Sequence, residues 1–428
     1  MRLFINDDNQ FKDGILAFDR REKGDQFNNS GDNRLYSYLI LDFKLPVDIV
    51  FDDFTIEKSI EVDLNISTST GQSVKKAFVS PVKMPERIGS IFSHDFTFGL
   101  SAICSFAFER PVLSTKNDYY NRVEIANELE LREIGVEFPR TIIGPGAKGF
   151  SVHKDIIELW VNRLKEVINL INLLTTEENE TYPITYERLM QSFRLIQLAH
   201  INRKEDFDLG YSFLIAGIEG ISQIAIPKID RLEKTDQYKK WKALSKKDDE
   251  MKSLFDEYVK VKIYVDTEIQ NKNLTKRFAK FLFSFSKQMD WEEVFYDQLI
   301  TEGPEYNNKY PNEIISRWRE LSPLNLSDEE FFKIIKDTYN LRSKFFHEGL
   351  PLPHKNPSNS IINRFFHVIT NHTEENKLKK IMNKENRNES KYTEWDKTQD
   401  KLITFEFLSS LARNSITNYL KNVLQQSL

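Results

Sequence analysis

At 428 residues and a formal charge of -5, the chain is too long for one ordinary core and too acidic to coat nucleic acid through overall charge. Two domains with a helical extension are expected, and a local basic groove stays open. The single cysteine, Cys104, excludes an intrachain disulfide and a cysteine-based zinc cage, and it fits a reducing compartment.

Residues 1–145 read as a β-rich module, because short runs of Ile, Val, Phe, Tyr and Thr are interrupted by Gly, Pro, Asn and Asp. Leu35 to Leu45, Ile56 to Ile66 and Phe96 to Phe108 are the clearest predicted strands, the last burying Cys104. Breaks at Pro46, Thr70-Gly71, Pro81, Pro85 and Pro111 suit an antiparallel sandwich or barrel. The first residues, Met1 to Asp8, lack a long apolar core and a small-residue cleavage pattern. With no apolar run long enough to cross a bilayer, the chain is expected to be soluble and cytoplasmic, with no membrane partner.

The breaker-rich segment Ile142-Ile-Gly-Pro-Gly-Ala-Lys-Gly149 marks a change to helical periodicity. Residues 146–200 read as connecting helices, one on Ile157, Val161, Leu164, Ile168 and Ile171 and one over Tyr186 to His200, spaced to pair as a hairpin. Residues 201–428 read as an all-helical domain. Phe207, Tyr211, Leu214, Ile218 and Ile221 mark a helix ending before Pro227, followed by a charged region from Asp230 to Lys260. Leu274, Phe278, Phe281 and Phe285 define another helix, whose other side carries Lys276, Arg277, Lys280 and Lys287. Residues 373–401 are polar enough to be an exposed insertion, and a last helix carries Phe405, Leu408, Ala412, Ile416, Tyr419 and Val423.

One further helix announces both of its ends. Ser327 with Glu330 forms a capping-box pattern, Gly349 supplies a stop, and Pro351 and Pro353 forbid continuation. Phe331, Ile334, Thr338, Leu341 and Phe345 make its core stripe, and Arg342, Ser343 and His347 lie off it. At about 100° per residue, Ser343 and His347 share a face one turn apart, with Arg342 one step round the cylinder.

Other constellations carry little chemistry. Gly144-Pro-Gly-Ala-Lys-Gly149 lacks the Gly-Lys-Ser/Thr ending of a phosphate loop. His354, His367 and His372 lack metal-ligand spacing, and Asp7-Asp8 and Asp52-Asp53 lack a companion Glu-x-Lys. No Gly-x-Ser-x-Gly elbow, HExxH or dinucleotide fingerprint occurs. Arg342 and His347 differ in matching a chemical need: metal-free RNA cleavage requires proton transfer at the 2′-hydroxyl and the leaving oxygen, with charge stabilisation at phosphorus. The structural alternative is a salt bridge for Arg342 and a helix C-terminal cation for His347.

The stretch Tyr339-Asn-Leu-Arg-Ser-Lys-Phe-Phe-His-Glu-Gly349 resembles the Arg-(polar)-x3-His signature of HEPN domains. With Tyr-x-x-Arg-Ser-x-x-x-His it looks like the ApeA-like branch, known from bacterial anti-phage and toxin systems, although Glu348 intervenes before the Gly. The resemblance covers roughly residues 200–428. With the residue pattern of 1–145, it gives an α+β chain of two domains, an N-terminal β-rich sandwich or barrel and then a C-terminal all-α HEPN-like helical bundle; proteins of this branch often place a sensing domain before the HEPN domain, which implies that the β-rich part senses a phage-derived trigger. It also implies a homodimeric, cofactor-free and metal-free endoribonuclease effector of abortive infection, leaving 2′,3′-cyclic phosphate and 5′-hydroxyl ends. His347 would then be the general acid or base, Arg342 would stabilise the phosphoryl transition state, and Ser343 would orient the imidazole or the phosphate. Lys344, Lys276, Arg277 and Lys280 would touch the RNA backbone, and Glu219 would line the cleft. The alternative is a non-catalytic HEPN module binding RNA or a protein.

Overall fold

The computed structural model describes residues 17–19, 35–67, 73–86, 88, 93–115, 123–138, 140–143, 154–175, 182–203, 205–226, 236–286, 327–349, 366–368 and 401–427. The chain is α+β: a curled antiparallel sheet near the N-terminus is followed by helices. The sheet comprises β1 (Tyr36–Leu41), β2 (Ile49–Val50), β3 (Thr55–Ile56), β4 (Ile60–Ser67), β5 (Ser73–Lys83), β6 (Val112–Ser114) and β7 (Arg140–Ile143). β5 is its spine. It pairs with β1 (Leu41 opposite Phe78), with β3 and β4 (Ile60 opposite Val79), and at its other end with β7 (Ser73 opposite Ile143). Pro81, read from sequence as a break, lies inside β5, where its carbonyl accepts from the Glu57 N–H at 2.8 Å.

Two helices cover this sheet, which curls into a half-barrel and, among the described residues, neither closes nor packs on a second sheet as a sandwich. α1 (Ser93–Phe108) replaces the strand expected at Phe96 to Phe108. Every residue from Asp95 to Phe108 is buried, and a helix apolar on all sides lacks the stripe that distinguishes it from a buried strand. Cys104 is buried as expected, but on this helix. α2 (Glu128–Val136) lies on the opposite face, opened by an Asn127–Glu130 capping box. The period-two alternation of β1 sends Leu39 and Leu41 into the main core and Tyr38 and Ile40 into a smaller cluster with Leu131 and Ile134.

The helices that follow are α3 (Lys154–Leu174), α4 (Tyr182–Asn202), α5 (Phe207–Ala225), α6 (Asp236–Leu244), α7 (Asp249–Phe285), α8 (Asp328–Glu348) and α9 (Phe405–Ser427). The hairpin expected between α3 and α4 forms instead between α4 and α5. Gly217 permits it: a Cβ there would stand 3.0 Å from Ile196 Cγ1 and 3.1 Å from the Ser192 carbonyl oxygen. The charged region is helical over 236–244 and again from 249, because Lys, Glu and Leu favour helix even without a buried face, and α7 runs unbroken for 37 residues. A short ladder of β8 (Phe366–Val368) and β9 (Lys401–Ile403) precedes α9. The Gly144–Gly149 loop, Lys287, His354, His372, Asp7-Asp8 and the polar stretch 373–400 lie outside the described residues.

One buried cluster runs from the sheet through α1, α3 and α4 to α5, α7, α8 and α9. At the junction of sheet and bundle, Glu109 closes α1 at φ 53°, a left-handed conformation unusual for a residue with a Cβ. The side chain explains the choice of residue: Glu109 accepts from Arg413 Nε at 2.6 Å and from the Ser410 hydroxyl. Nearby, Arg110 grips Asp42 through two bonds of 3.0 and 2.9 Å, and buried His200 shares a 3.1 Å hydrogen bond with Ser409. Burial, reinforced by Arg203 and Arg110, pushes the His200 imidazole from 6.5 down to about 3, so it is neutral in the fold. No helix among the described residues is long and apolar enough to cross a membrane.

Candidate functional site

α8 forms as its sequence dictates. The Ser327 side chain accepts from Glu330 N at 3.3 Å, and Glu330 Oε2 accepts from Ser327 N at 2.9 Å, completing the capping box. At the other end Gly349 adopts φ 66°, ψ 17°, and its N–H reaches the Phe345 carbonyl at 3.0 Å. The glycine is needed for that left-handed stop, which leaves His347 in the final turn. Phe331, Ile334, Ile335, Thr338 and Tyr339 are buried.

Three tethers set α8 against its neighbours. The Ile403 N–H donates to Thr338 Oγ1 at 3.3 Å, while the Tyr211 hydroxyl donates to the Ile403 carbonyl at 2.6 Å, strapping β9 between α8 and α5. The Thr275 hydroxyl donates to Asn340 Oδ1 at 3.3 Å from α7. Phe278 packs on the Tyr339 ring at 5.1 Å.

This packing brings Glu219 of α5 to Arg342 of α8, Nη1 to Oε2 3.8 Å, with side chains only 15 and 20% exposed. The pair is longer than a charge-assisted hydrogen bond of about 2.7–2.9 Å, so the guanidinium is held near the carboxylate without being clamped by it. Gln223 Nε2 donates to Glu219 Oε1 at 3.0 Å, and the Tyr339 hydroxyl donates to the same carboxylate. Burial, then the Glu219 charge, holds that hydroxyl protonated far above its ordinary range, against the opposing pull of Arg342. Tyr339 and Gln223 had no role assigned from sequence; Tyr339 stands three residues before Arg342, the helical spacing that puts both on one face.

The remaining expected residues fall in different settings. Ser343 is half-buried, and His347 is exposed without a hydrogen bond or ion pair among the described residues. Arg342 and His347 are about 140° apart round the helix and about 7.5 Å along it, so a single copy does not form a compact Arg–His pair. Lys276 and Lys280 are exposed on α7, and the side chain of Lys344 lies outside the described residues. Glu348 is exposed beside His347.

Arg277 corrects the sequence reading. It was expected on a basic RNA-contacting face, but it is 5% exposed and donates from Nε to the Ile226 carbonyl at 2.9 Å and from Nη2 to the Gln223 carbonyl. Its burial lowers the guanidinium pKa, and its donors satisfy the carbonyls that end α5. Its position between Phe278 and Thr275 on a helix with two flanking exposed lysines hid this: the charge pattern alone could not tell an inward from an outward cation.

No family model, no curated protein and no solved structure matches the chain.

Proposed function

We propose that the chain is a metal-independent endoribonuclease of HEPN type that acts as a homodimer, with the sheet-bearing N-terminal part sensing a trigger in anti-phage defence. The observation that carries this reading is the end of α8. There the Arg-Ser-x3-His residues that resemble the HEPN signature project from one helix, off its core stripe, and Arg342 lies beside a second polar side chain, Glu219.

RNA cleavage of this kind transfers the 2′-hydroxyl oxygen to phosphorus, expels the 5′-oxygen and leaves a 2′,3′-cyclic phosphate. His347 takes the 2′-hydroxyl proton or donates one to the leaving oxygen, a task suited to imidazole near neutral pH. Arg342 offers N–H donors to the phosphoryl oxygens as negative charge develops on them. Glu219, holding Tyr339 and Gln223, positions the guanidinium between turnovers. Because His347 and Arg342 of one copy diverge round the helix, the reading assigns a complete cleft to two copies facing one another. Lys276 and Lys280 give the RNA backbone two exposed cations nearby on α7.

One observation favours a second reading, a non-catalytic HEPN module. Glu219 within 3.8 Å of Arg342 already supplies an anion to the guanidinium and competes with a phosphate for it. Purified protein incubated with RNA in EDTA separates the two. The nuclease reading expects cleavage that His347→Ala abolishes. RNA or protein binding that survives both Arg342→Ala and His347→Ala, without any cleavage, supports the module instead.

A further inference from the structure

α7 and α8 pack antiparallel: Thr275 meets Asn340, Phe278 meets Tyr339 and Phe283 meets Phe332, so numbers climb one helix as they descend the other. On the inner side of this pair Arg277 and Tyr339 turn toward α5. On the outer side α7 presents Lys276, Lys280 and Phe283 within about 60° of arc; the lysines are exposed and Phe283 is 37% exposed. α8 borders them with Phe332, Lys336, Asn340, Ser343 and His347, within about 80°. His347 therefore ends a stripe that begins about 22 Å away at Phe332, while Arg342 lies off it, against Glu219 of α5.

The chemistry of the stripe changes along its length. At its start Phe283 and Phe332 meet edge to face at 6.0 Å, and Lys336 Nζ lies 5.4 Å from the Phe332 centroid. Next come Lys276, Lys280 and Lys336, from two helices, none with an acidic partner among the described residues. The acids of α8 are kept away: Asp328, Glu329 and Glu330 occupy its first turn, before Phe332. Asp337 and Glu348 lie at least about 100° round the helix from the centre of the stripe.

We propose that this outer stripe is a binding track for single-stranded RNA: one base stacks on Phe283, and the phosphates beyond it run over the three lysines to His347. The proposal rests on the nuclease reading for its choice of polymer and adds a subsite remote from the cut. Lysines alone would serve any polyanion. The ring selects an unpaired base, because the bases of a duplex are stacked on one another and offer no free face along its length.

The test is fluorescence anisotropy of a labelled oligouridylate with the full chain carrying His347→Ala, in EDTA, so that binding is read without cleavage. On that parent, Phe283→Leu keeps an apolar contact for Phe332 and is expected to weaken binding about 5- to 100-fold, and Phe283→Trp to restore it. Lys276→Ala, Lys280→Ala and Lys336→Ala are each expected to lower the slope of log affinity on log salt by about 0.7. The same strand annealed to oligoadenylate is expected to bind more weakly and to ignore Phe283→Leu. Unchanged binding in Phe283→Leu overturns the proposal, as do equal binding of the duplex and a salt slope that none of the lysine variants alters. The two readings fail separately. Binding that needs Phe283 and the lysines, in a wild type that cuts nothing, removes the nuclease and keeps the track. Cleavage and binding indifferent to all four residues remove the track and keep the nuclease.

Discussion

Two regions of the molecule use the same residue types to opposite ends. Where the sheet meets α9, Glu109 and Arg413 are held together at 2.6 Å with little exposure, part-exposed Arg110 grips buried Asp42 at 2.9 Å, and His200 is buried. At the end of α8, a glutamate and an arginine stand 3.8 Å apart and the histidine is exposed. A buried charge pair left half-made costs more than it ever contributed, so the first region governs folding. At the end of α8 the exposed histidine and the longer, part-exposed Glu219–Arg342 pair lie within reach of a substrate, which is why the second region is the candidate site.

The largest expected effect is on the first region. Arg413→Ala leaves the Glu109 carboxylate buried without its ion pair and is expected to lower unfolding stability by about 3–5 kcal/mol, measured by denaturant titration. Glu109→Gly separates the causes: it relieves the left-handed backbone but loses the bonds to Arg413 and Ser410, and it is expected to destabilise despite the relief. A stabilised glycine variant would show that the backbone, not the ion pair, dominates there.

Next in size is the pH response of His200. Its folded pKa, about 3, lies below the ordinary 6.5, so between those values the unfolded chain binds a proton that the folded chain refuses. Stability is therefore complete above about pH 6.5 and is lost as pH falls toward 3. His200→Gln removes the titrating group while keeping a hydrogen-bonding side chain opposite Ser409, and thermal melts are expected to show a flatter acid limb. An unchanged limb would assign the acid sensitivity to other groups.

The smallest expected effects on stability come from the second region. Arg342→Ala is expected to cost about 1 kcal/mol, as part-exposed ion pairs do, and His347→Ala to leave the melting temperature essentially where it was. A large loss of stability in either variant would erase the contrast and make the end of α8 a structural element.

Sequence legibility divides along a similar line. α8 was readable at both ends because Ser327, Glu330 and Gly349 act locally, through bonds that span three or four residues. α1 is not legible in the same way, because its identity depends on being covered from all sides, which no local pattern records. At the site, Glu219 stands out in sequence as a polar residue in an apolar helix, but its partner Arg342 is 123 residues away, and long-range contacts such as the strap of Tyr211, Ile403 and Thr338 bring them together. Arg277 shows the converse: a cation in a basic run turned inward, because the end of α5 leaves carbonyls to be satisfied.

The central claim, that the end of α8 performs metal-free RNA cleavage, is tested most directly by one measurement: RNA end-analysis after incubation in EDTA with wild type and with His347→Ala, in the presence of the activating trigger. The account expects 2′,3′-cyclic phosphate and 5′-hydroxyl ends from wild type and, from the folded variant, a loss of about 10²–10⁴-fold in rate. Equal cleavage by the two proteins would contradict it.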